Sequence, residues 1–224
     1  MNTIKKLMLL TTIAGCLSFG LSQQKEHILF FGDSITQAGV EKNGYITVLG
    51  DLLREKGIAD RYQLTGAGIG GNKIYDLYLR HEEDVLAKNP NTVVIWVGVN
   101  DVWHKKTFGT GTDPDKFEKF YNALIKKLQS RNIKVLLCTP AAIGEKTDHS
   151  NELDGDLNKY SSIIRNIAKN NNCGLIDLRK TFLQYNLANN SENKDRNILT
   201  SDGVHLNEKG NRLVAEEMMK ALVK

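Results

Sequence analysis

Four short segments carry residue types that together could run acyl transfer: Gly32-Asp33-Ser34, the stretch Thr65-Gly66-Ala67-Gly68-Ile69-Gly70-Gly71, Gly98-Val99-Asn100-Asp101, and Asp202-Gly203-Val204-His205. A serine hydroxyl becomes a competent nucleophile only when a base takes its proton. Ser34 offers the hydroxyl, in a tight turn between a strand and a helix. Of the five histidines, His205 follows a carboxylate, Asp202, by three residues in a loop leading to a helix, while His104 closely follows Asn100-Asp101. Asp202 there could fix the imidazole tautomer and stabilise the imidazolium. His27 falls inside a strand, His81 on the surface of a predicted helix, and His149 in a polar loop. A tetrahedral intermediate also needs donors aimed at its oxyanion, each worth about 3–4 kcal/mol. Gly68 could bring a backbone N–H close, Asn100 a side-chain amide, and Ser34 its own N–H. Each motif has a plainer use as well: turn chemistry for the glycines, helix capping for Asp202 and Asn100-Asp101. Asp33 and Asp101 are expected to brace their loops through backbone hydrogen bonds. Trp103 and His104, with Phe108, stand close enough to Asn100 in sequence to floor an acyl or sugar pocket.

The elements that must position these groups alternate. His27-Ile28-Leu29-Phe30-Phe31 is a nearly continuous apolar run, as in a strand buried on both faces. A helix follows from about Gly44 to Lys56, with Ile46, Leu49, Leu52 and Leu53 at helical spacing and Gly57 as its stop. Tyr62 to Thr65 reads as a weaker strand, Ile74 to Ala87 as a helix ended by Asn89-Pro90, and Thr92 to Val97 as the strongest strand. Asp113-Pro114 starts a helix whose buried stripe is Phe117, Phe120, Tyr121, Leu124, Ile125 and Leu128. Ile133 to Cys138 is a fourth strand, Asp156 to Asn170 a helix, Leu175 to Leu178 a fifth strand, and about Glu208 to Leu222 the last helix. Strand–helix alternation at this spacing implies a parallel sheet covered on both faces. Ligands of such sheets bind beyond the carboxyl ends of the strands. Ser34, Gly68 and Asn100 follow the first three strands and so share that edge.

On these four motifs the chain resembles the SGNH branch of the GDSL hydrolases, over roughly Ile28 to Met218. The resemblance implies an α/β fold of three layers, with a five-stranded parallel sheet between helices in a flavodoxin-like arrangement. It implies Ser34 as nucleophile, Gly68 and Asn100 as oxyanion donors beside the Ser34 N–H, and Asp202 and His205 as the rest of a triad, with no cofactor. The chain departs from the family pattern at Gly66, where an asparagine often stands, and at Leu206, where a proline often follows the histidine. The expected activity is hydrolysis of carboxylic esters, with short acyl or acetyl groups on carbohydrate favoured. The alternatives are a lipase or lysophospholipase acting on longer chains, and a non-catalytic carbohydrate-binding module on the same fold.

The bulk numbers fit one soluble unit: 224 residues, 41% hydrophobic and 25% charged, in which we see no internal repeat or linker. The formal net charge of +4 includes Lys5 and Lys6. No basic stripe with interleaved aromatics marks a nucleic-acid partner. Lys5 and Lys6 followed by the apolar run Leu7 to Leu21, with Gly20-Leu21-Ser22 as cleavage site, read as a secretory signal over residues 1–22, leaving 23–224 as the enzyme domain. Gly15 and Gly20 interrupt that run, which makes a stable membrane span unfavourable. Ile13-Ala14-Gly15-Cys16 also resembles a lipobox, so anchoring through Cys16 is the alternative to release. Beyond the signal, Cys138 and Cys173 remain as two buried free thiols; their strand ends lie roughly 16 Å apart at about 3.3 Å per residue, out of disulfide reach. Asp154-Gly155-Asp156-Leu157-Asn158 lacks the glycine placement and terminal glutamate of a calcium loop, and no metal is expected.

Overall fold

The computed structural model describes residues 24–223. The expected signal segment and Cys16 lie outside the described residues. Five strands form one parallel sheet: β1 (Glu26–Gly32), β2 (Tyr62–Gly68), β3 (Thr92–Trp96), β4 (Lys134–Cys138) and β5 (Gly174–Ile176), in the spatial order β2-β1-β3-β4-β5. The helices are α1 (Ser34–Ala38), α2 (Tyr45–Glu55), α3 (Ile74–Asp84), α4 (Val99–Thr107), α5 (Pro114–Gln129), α6 (Asp154–Asn170), α7 (Leu178–Asn189) and α8 (Glu208–Leu222). The expected α/β architecture of a five-stranded parallel sheet between helices is the observed one.

Period-two alternation along the strands sends side chains into two separate cores. Ile28, Phe30, Val94, Trp96, Leu136 and Cys138 face α2 and α8, packing with Tyr45, Leu49, Val214 and Met218. Leu29, Phe31, Val93, Ile95, Val135 and Leu137 face the other way, against Leu77 of α3, Phe117 and Leu124 of α5, and Ile164 of α6. Both faces of the central strands are therefore dry, which is why their sequences read as unbroken apolar runs.

Register aligns the carboxyl ends of the strands. Gly32 pairs with Gly68 on one side and Trp96 on the other, and Trp96 pairs with Cys138. The chain winds outward from β1 to β2 in one direction and from β3 to β5 in the other. The crevice between β1 and β3 is thus the topological switch point, where such sheets bind ligands.

Several boundaries differ from the sequence reading. β2 runs on to Gly68, because Gly66 and Gly68 still pair with Phe30 and Gly32 despite their low strand propensity. The segment around Asn100, to which the sequence reading assigned no element, is helix α4, entered through Gly98 at φ +129. The last strand stops at Ile176: Asp177 caps a helix the sequence reading missed, and Leu178 opens α7 instead of ending β5. Its inward face mixes Leu178 and Phe182 with Arg179 and Asn186, all buried, so apolar periodicity is weak. His81, expected at a helix surface, is buried, with its ring stacked on Tyr78 and its Nδ1 2.6 Å from the Tyr78 carbonyl oxygen. Cys138 and Cys173 are free, but Cys173 is only half-buried instead of fully so.

α1 lies so close to the sheet edge that two strand-end positions must be glycine. A Cβ on Gly32 would fall 2.3 Å from Thr36 Oγ1 and 2.4 Å from the Trp96 carbonyl oxygen, and one on Gly68 would fall 2.1 Å from the Gln37 nitrogen. Gly68→Ala should therefore destabilise the protein by about 1–3 kcal/mol, the usual cost of overpacking against groups that cannot move aside. Urea or thermal melts beside the parent chain check this; an unchanged melt would mean that α1 sits looser on the sheet than described.

Candidate active site

Asp33 ends the β1 turn and starts α1. Its Oδ1 accepts from the Ile35 N–H at 3.0 Å, and its carbonyl oxygen accepts from the Gln37 N–H at 2.9 Å. Ser34 is the first residue of the helix, held over the end of β1. The second component arrives from the far end of the chain. Ser34 Oγ lies 3.0 Å from His205 Nε2, and His205 Nδ1 lies 2.7 Å from Asp202 Oδ2. The other Asp202 oxygen accepts from the N–H groups of Val204 at 2.9 Å and His205 at 2.7 Å. Asp202 thus folds its own loop and orients its own histidine. Partial burial raises the Asp202 carboxyl, but the hydrogen bonds from the His205 ring and from both backbone N–H groups outweigh it and hold the group below its ordinary range. A hydroxyl, imidazole and carboxylate joined in this order can move a proton from oxygen to nitrogen while the carboxylate stays ionised.

The loop carrying Asp202 and His205 is closed by a bridge between Thr200 and Leu206. Thr200 Oγ1 accepts from Gly203 N–H at 3.0 Å, and Gly203 has φ +97, a conformation glycine adopts without strain. Below the bridge sits Glu145, from the segment after β4. Its carboxylate is 1% exposed and accepts from the N–H groups of Ile198, Leu199 and Thr200 at 2.9, 2.7 and 3.0 Å. Gly144 N–H adds a 2.9 Å bond to the Gly203 carbonyl oxygen. Glu145 was not singled out by sequence reasoning; nothing near it in sequence marks a carboxylate whose partners lie 53 to 55 positions away.

On the other side, Asn100 is buried at the start of α4, and its Nδ2 donates to the Asn72 carbonyl oxygen at 3.1 Å. An amide nitrogen carries two hydrogens, so this bond aims the group and leaves one donor over. In the loop after β2, Ile69 N–H bonds the Gly32 carbonyl oxygen at 3.2 Å and Gly70 N–H bonds Gln37 Oε1 at 2.7 Å. Gly71, at φ +75, is the first residue of that loop whose N–H has no acceptor among the described residues. Trp103 stands edge-on to His205, ring centroids 6.4 Å apart; His104 follows at 5.5 Å from Trp103, and Phe108 at 4.9 Å from His104. Burial, and then the charge of Lys73, push the His104 imidazole below its ordinary value. The remaining histidines lie elsewhere: His27 Nε2 is 2.9 Å from Thr65 Oγ1, and His149 is in an exposed loop. Asp154 and Asn158, weighed as calcium ligands, instead hold Arg179 through bonds of 2.6 and 2.8 Å.

A parallel sheet bearing this serine–histidine–aspartate row beyond its switch point has the architecture of a carboxylic ester hydrolase. The sequence profile of the GDSL-like lipase/acylhydrolase family matches residues 30–213, and the chain belongs to that family. Among curated proteins it is 28% identical to an acetylxylan esterase of Geobacillus stearothermophilus over 176 residues, 70% of this chain and 78% of that protein. It is also 26% identical to the lipoprotein YqeF of Bacillus subtilis, over 93% of both chains. A crystal structure of an acetyl xylan esterase, AlAXEase, superposes with a TM-score of 0.87 at 70% identity, over 88% of this chain and all of the other.

Asp101 ties the site to α3. It is fully buried, its Oδ1 accepts from the Ile74 N–H at 3.3 Å, and its Oδ2 has no partner among the described residues. Burial pushes its carboxyl up to about 7, with the charge of Asp33 acting in the same direction. In the unfolded chain it ionises near the ordinary value of about 3.9, so between roughly pH 4 and 7 the folded state holds the extra proton and stability falls as pH rises. Asp101→Asn removes this linkage. Melting temperatures measured from pH 4.5 to 8 should fall less for the variant than for the parent chain. Parallel curves would show that Asp101 ionises in the fold without cost.

Proposed function

We propose that the protein is an exported serine esterase that removes acetyl groups from carbohydrate. The observation that carries the mechanism is the unbroken contact chain Ser34–His205–Asp202. His205 Nε2 takes the proton as Ser34 Oγ attacks the ester carbonyl carbon. The carbonyl oxygen becomes an oxyanion, received by the N–H of Ser34, the free Asn100 amide hydrogen and the N–H of the loop after β2. Collapse breaks the bond to the sugar oxygen, which leaves with the proton from His205, and acetyl-Ser34 remains. Water then attacks with His205 again as base, releasing acetate and restoring the serine.

For the loop donor we assign Gly71 in place of Gly68. Gly68 is glycine because α1 presses on it, whereas the Gly71 N–H has no competing acceptor. Substrate class rests on two supports. The acetyl xylan esterase at 70% identity bears that activity in its name. The site is also open, with the His205 and Asp202 side chains 39% and 47% exposed, which suits a bulky, hydrated alcohol better than a long acyl chain needing an apolar sleeve. Trp103 and His104 would line the alcohol side. The charged and then apolar N-terminus supports export. The likeness to YqeF, a lipoprotein, supports a second reading of that segment, in which Cys16 carries a lipid anchor.

Rates on a chain-length series of p-nitrophenyl esters beside acetylated xylo-oligosaccharides test the substrate class; a preference for octanoyl over acetyl esters would reject it. An organophosphonate should add one mass increment, mapped to Ser34, and His205→Ala should lower kcat by about 10³-fold or more. Labelling at another residue in an active preparation would refute the triad. Asn100→Ala should cost roughly 10²–10³ in kcat with little change in KM, because an oxyanion donor acts on charge that exists only in the transition state. A less stable but fully active variant would leave Asn100 as a helix-start residue only.

A further inference from the structure

Arg80 lies on α3, away from the reacting atoms, with a side chain only 14% exposed. Its hydrogen bonds converge on the segments that present the oxyanion donors. Nη2 donates to the Gly32 carbonyl oxygen at 2.8 Å and to the Ala67 carbonyl oxygen at 3.1 Å, so one nitrogen joins the ends of β1 and β2. Gly32 is followed directly by Asp33 and Ser34, and its carbonyl oxygen also accepts the Ile69 N–H. Nε donates to Asn72 Oδ1 at 2.7 Å, and the Asn72 carbonyl oxygen is the group that aims Asn100 Nδ2. Nη1 pairs with Asp84 at 2.7 Å, anchoring the guanidinium to its own helix, and the Phe31 ring supports it from 4.4 Å.

From this convergence we propose that Arg80 is the positioning residue of the oxyanion hole. A rigid planar fork of N–H donors fixes the Ser34 turn, the Gly68–Gly71 loop and, through Asn72, the Asn100 amide relative to one another. The inference rests on the esterase reading above. The geometry needs an arginine: a lysine ammonium is a point charge on a flexible stem and cannot hold these acceptors in fixed directions at once. Displacement of catalytic groups by about 1 Å can cost on the order of 10²-fold in rate.

The test uses Arg80→Lys and Arg80→Gln, with p-nitrophenyl acetate as substrate and active sites counted by phosphonate titration. We expect Arg80→Lys to lower kcat per active site by roughly 10- to 100-fold while KM changes little, because the loss falls on transition-state contacts. The inhibition constant of a boronic acid, which makes a tetrahedral adduct on the serine, should rise in proportion to the fall in kcat/KM. Asn72→Ala removes only the Nε acceptor. It should lower kcat by a smaller factor and add nothing when combined with Arg80→Lys. This variant carries the test if the arginine replacements do not fold. A lower melting temperature with unchanged kcat per active site, in Arg80→Lys or Asn72→Ala, would overturn the proposal and leave Arg80 as a packing residue. A rise in KM at constant kcat would overturn it equally. A parent chain inactive on every ester would instead remove the esterase reading and this inference with it, so the two failures are distinguishable.

Discussion

The contact between Ser34 and His205 joins positions 171 residues apart, across 3.0 Å. A hydrogen bond of that kind contributes about 1 kcal/mol by itself, far too little to bring the two ends of a domain together. The fold must therefore supply the proximity in advance. It does so by ending β1 at the switch point and by packing α8, which follows the His205 loop, against α2 and the face of the sheet formed by Ile28, Phe30 and Val94. Burial of those apolar faces sets the distance, and the polar contact selects among the few arrangements left.

Two polar braces refine the position from opposite sides. Arg80 gathers backbone carbonyl oxygens behind Ser34, and Glu145 gathers backbone N–H groups beneath the histidine loop. Arg80 divides its donors between two main-chain carbonyl oxygens and the side chains of Asn72 and Asp84, whereas the Glu145 carboxyl is met by main-chain donors. Among the described residues Glu145 has no cationic partner within ion-pair distance. The contacts to main-chain groups define direction more sharply than a contact between two flexible side chains, because those groups are already fixed by the sheet and its turns.

Much of this was legible in the sequence, and the limits have physical causes. The unbroken runs at His27–Phe31 and Thr92–Val97 announced central parallel strands, and the order of the motifs announced which strand ends they occupy. Asp202 and His205 could be paired because both lie in one turn. α7 was hidden because Arg179 and Asn186 occupy its buried face and mask its period. α4 was hidden because only its first turn is buried, leaving Lys105, Lys106 and Thr107 to read as loop. A glycine beside a strand end fits both close packing and close approach to a ligand, and the sequence alone does not tell these uses apart at Gly68; the position of α1 accounts for the packing use there. Glu145 left no local trace, since its partners are main-chain N–H groups from a distant segment, and the two carbonyl oxygens that Arg80 holds are equally invisible in the sequence around it.

On the esterase reading proposed above, the openness of the His205 and Asp202 side chains bears on the fate of an acetyl group once it is on the enzyme. An acyl-serine bordered by bulk solvent meets water at its full concentration of about 55 M, whereas a sugar hydroxyl competes only at its own far lower concentration unless it is bound beside the serine. Partition between the two acceptors then follows effective concentration. On that reading, such a surface would run the exchange of acetyl groups toward release in dilute solution. In a concentrated polysaccharide gel, where hydroxyl groups crowd the same opening, it would tend to hand the acetyl group to another sugar.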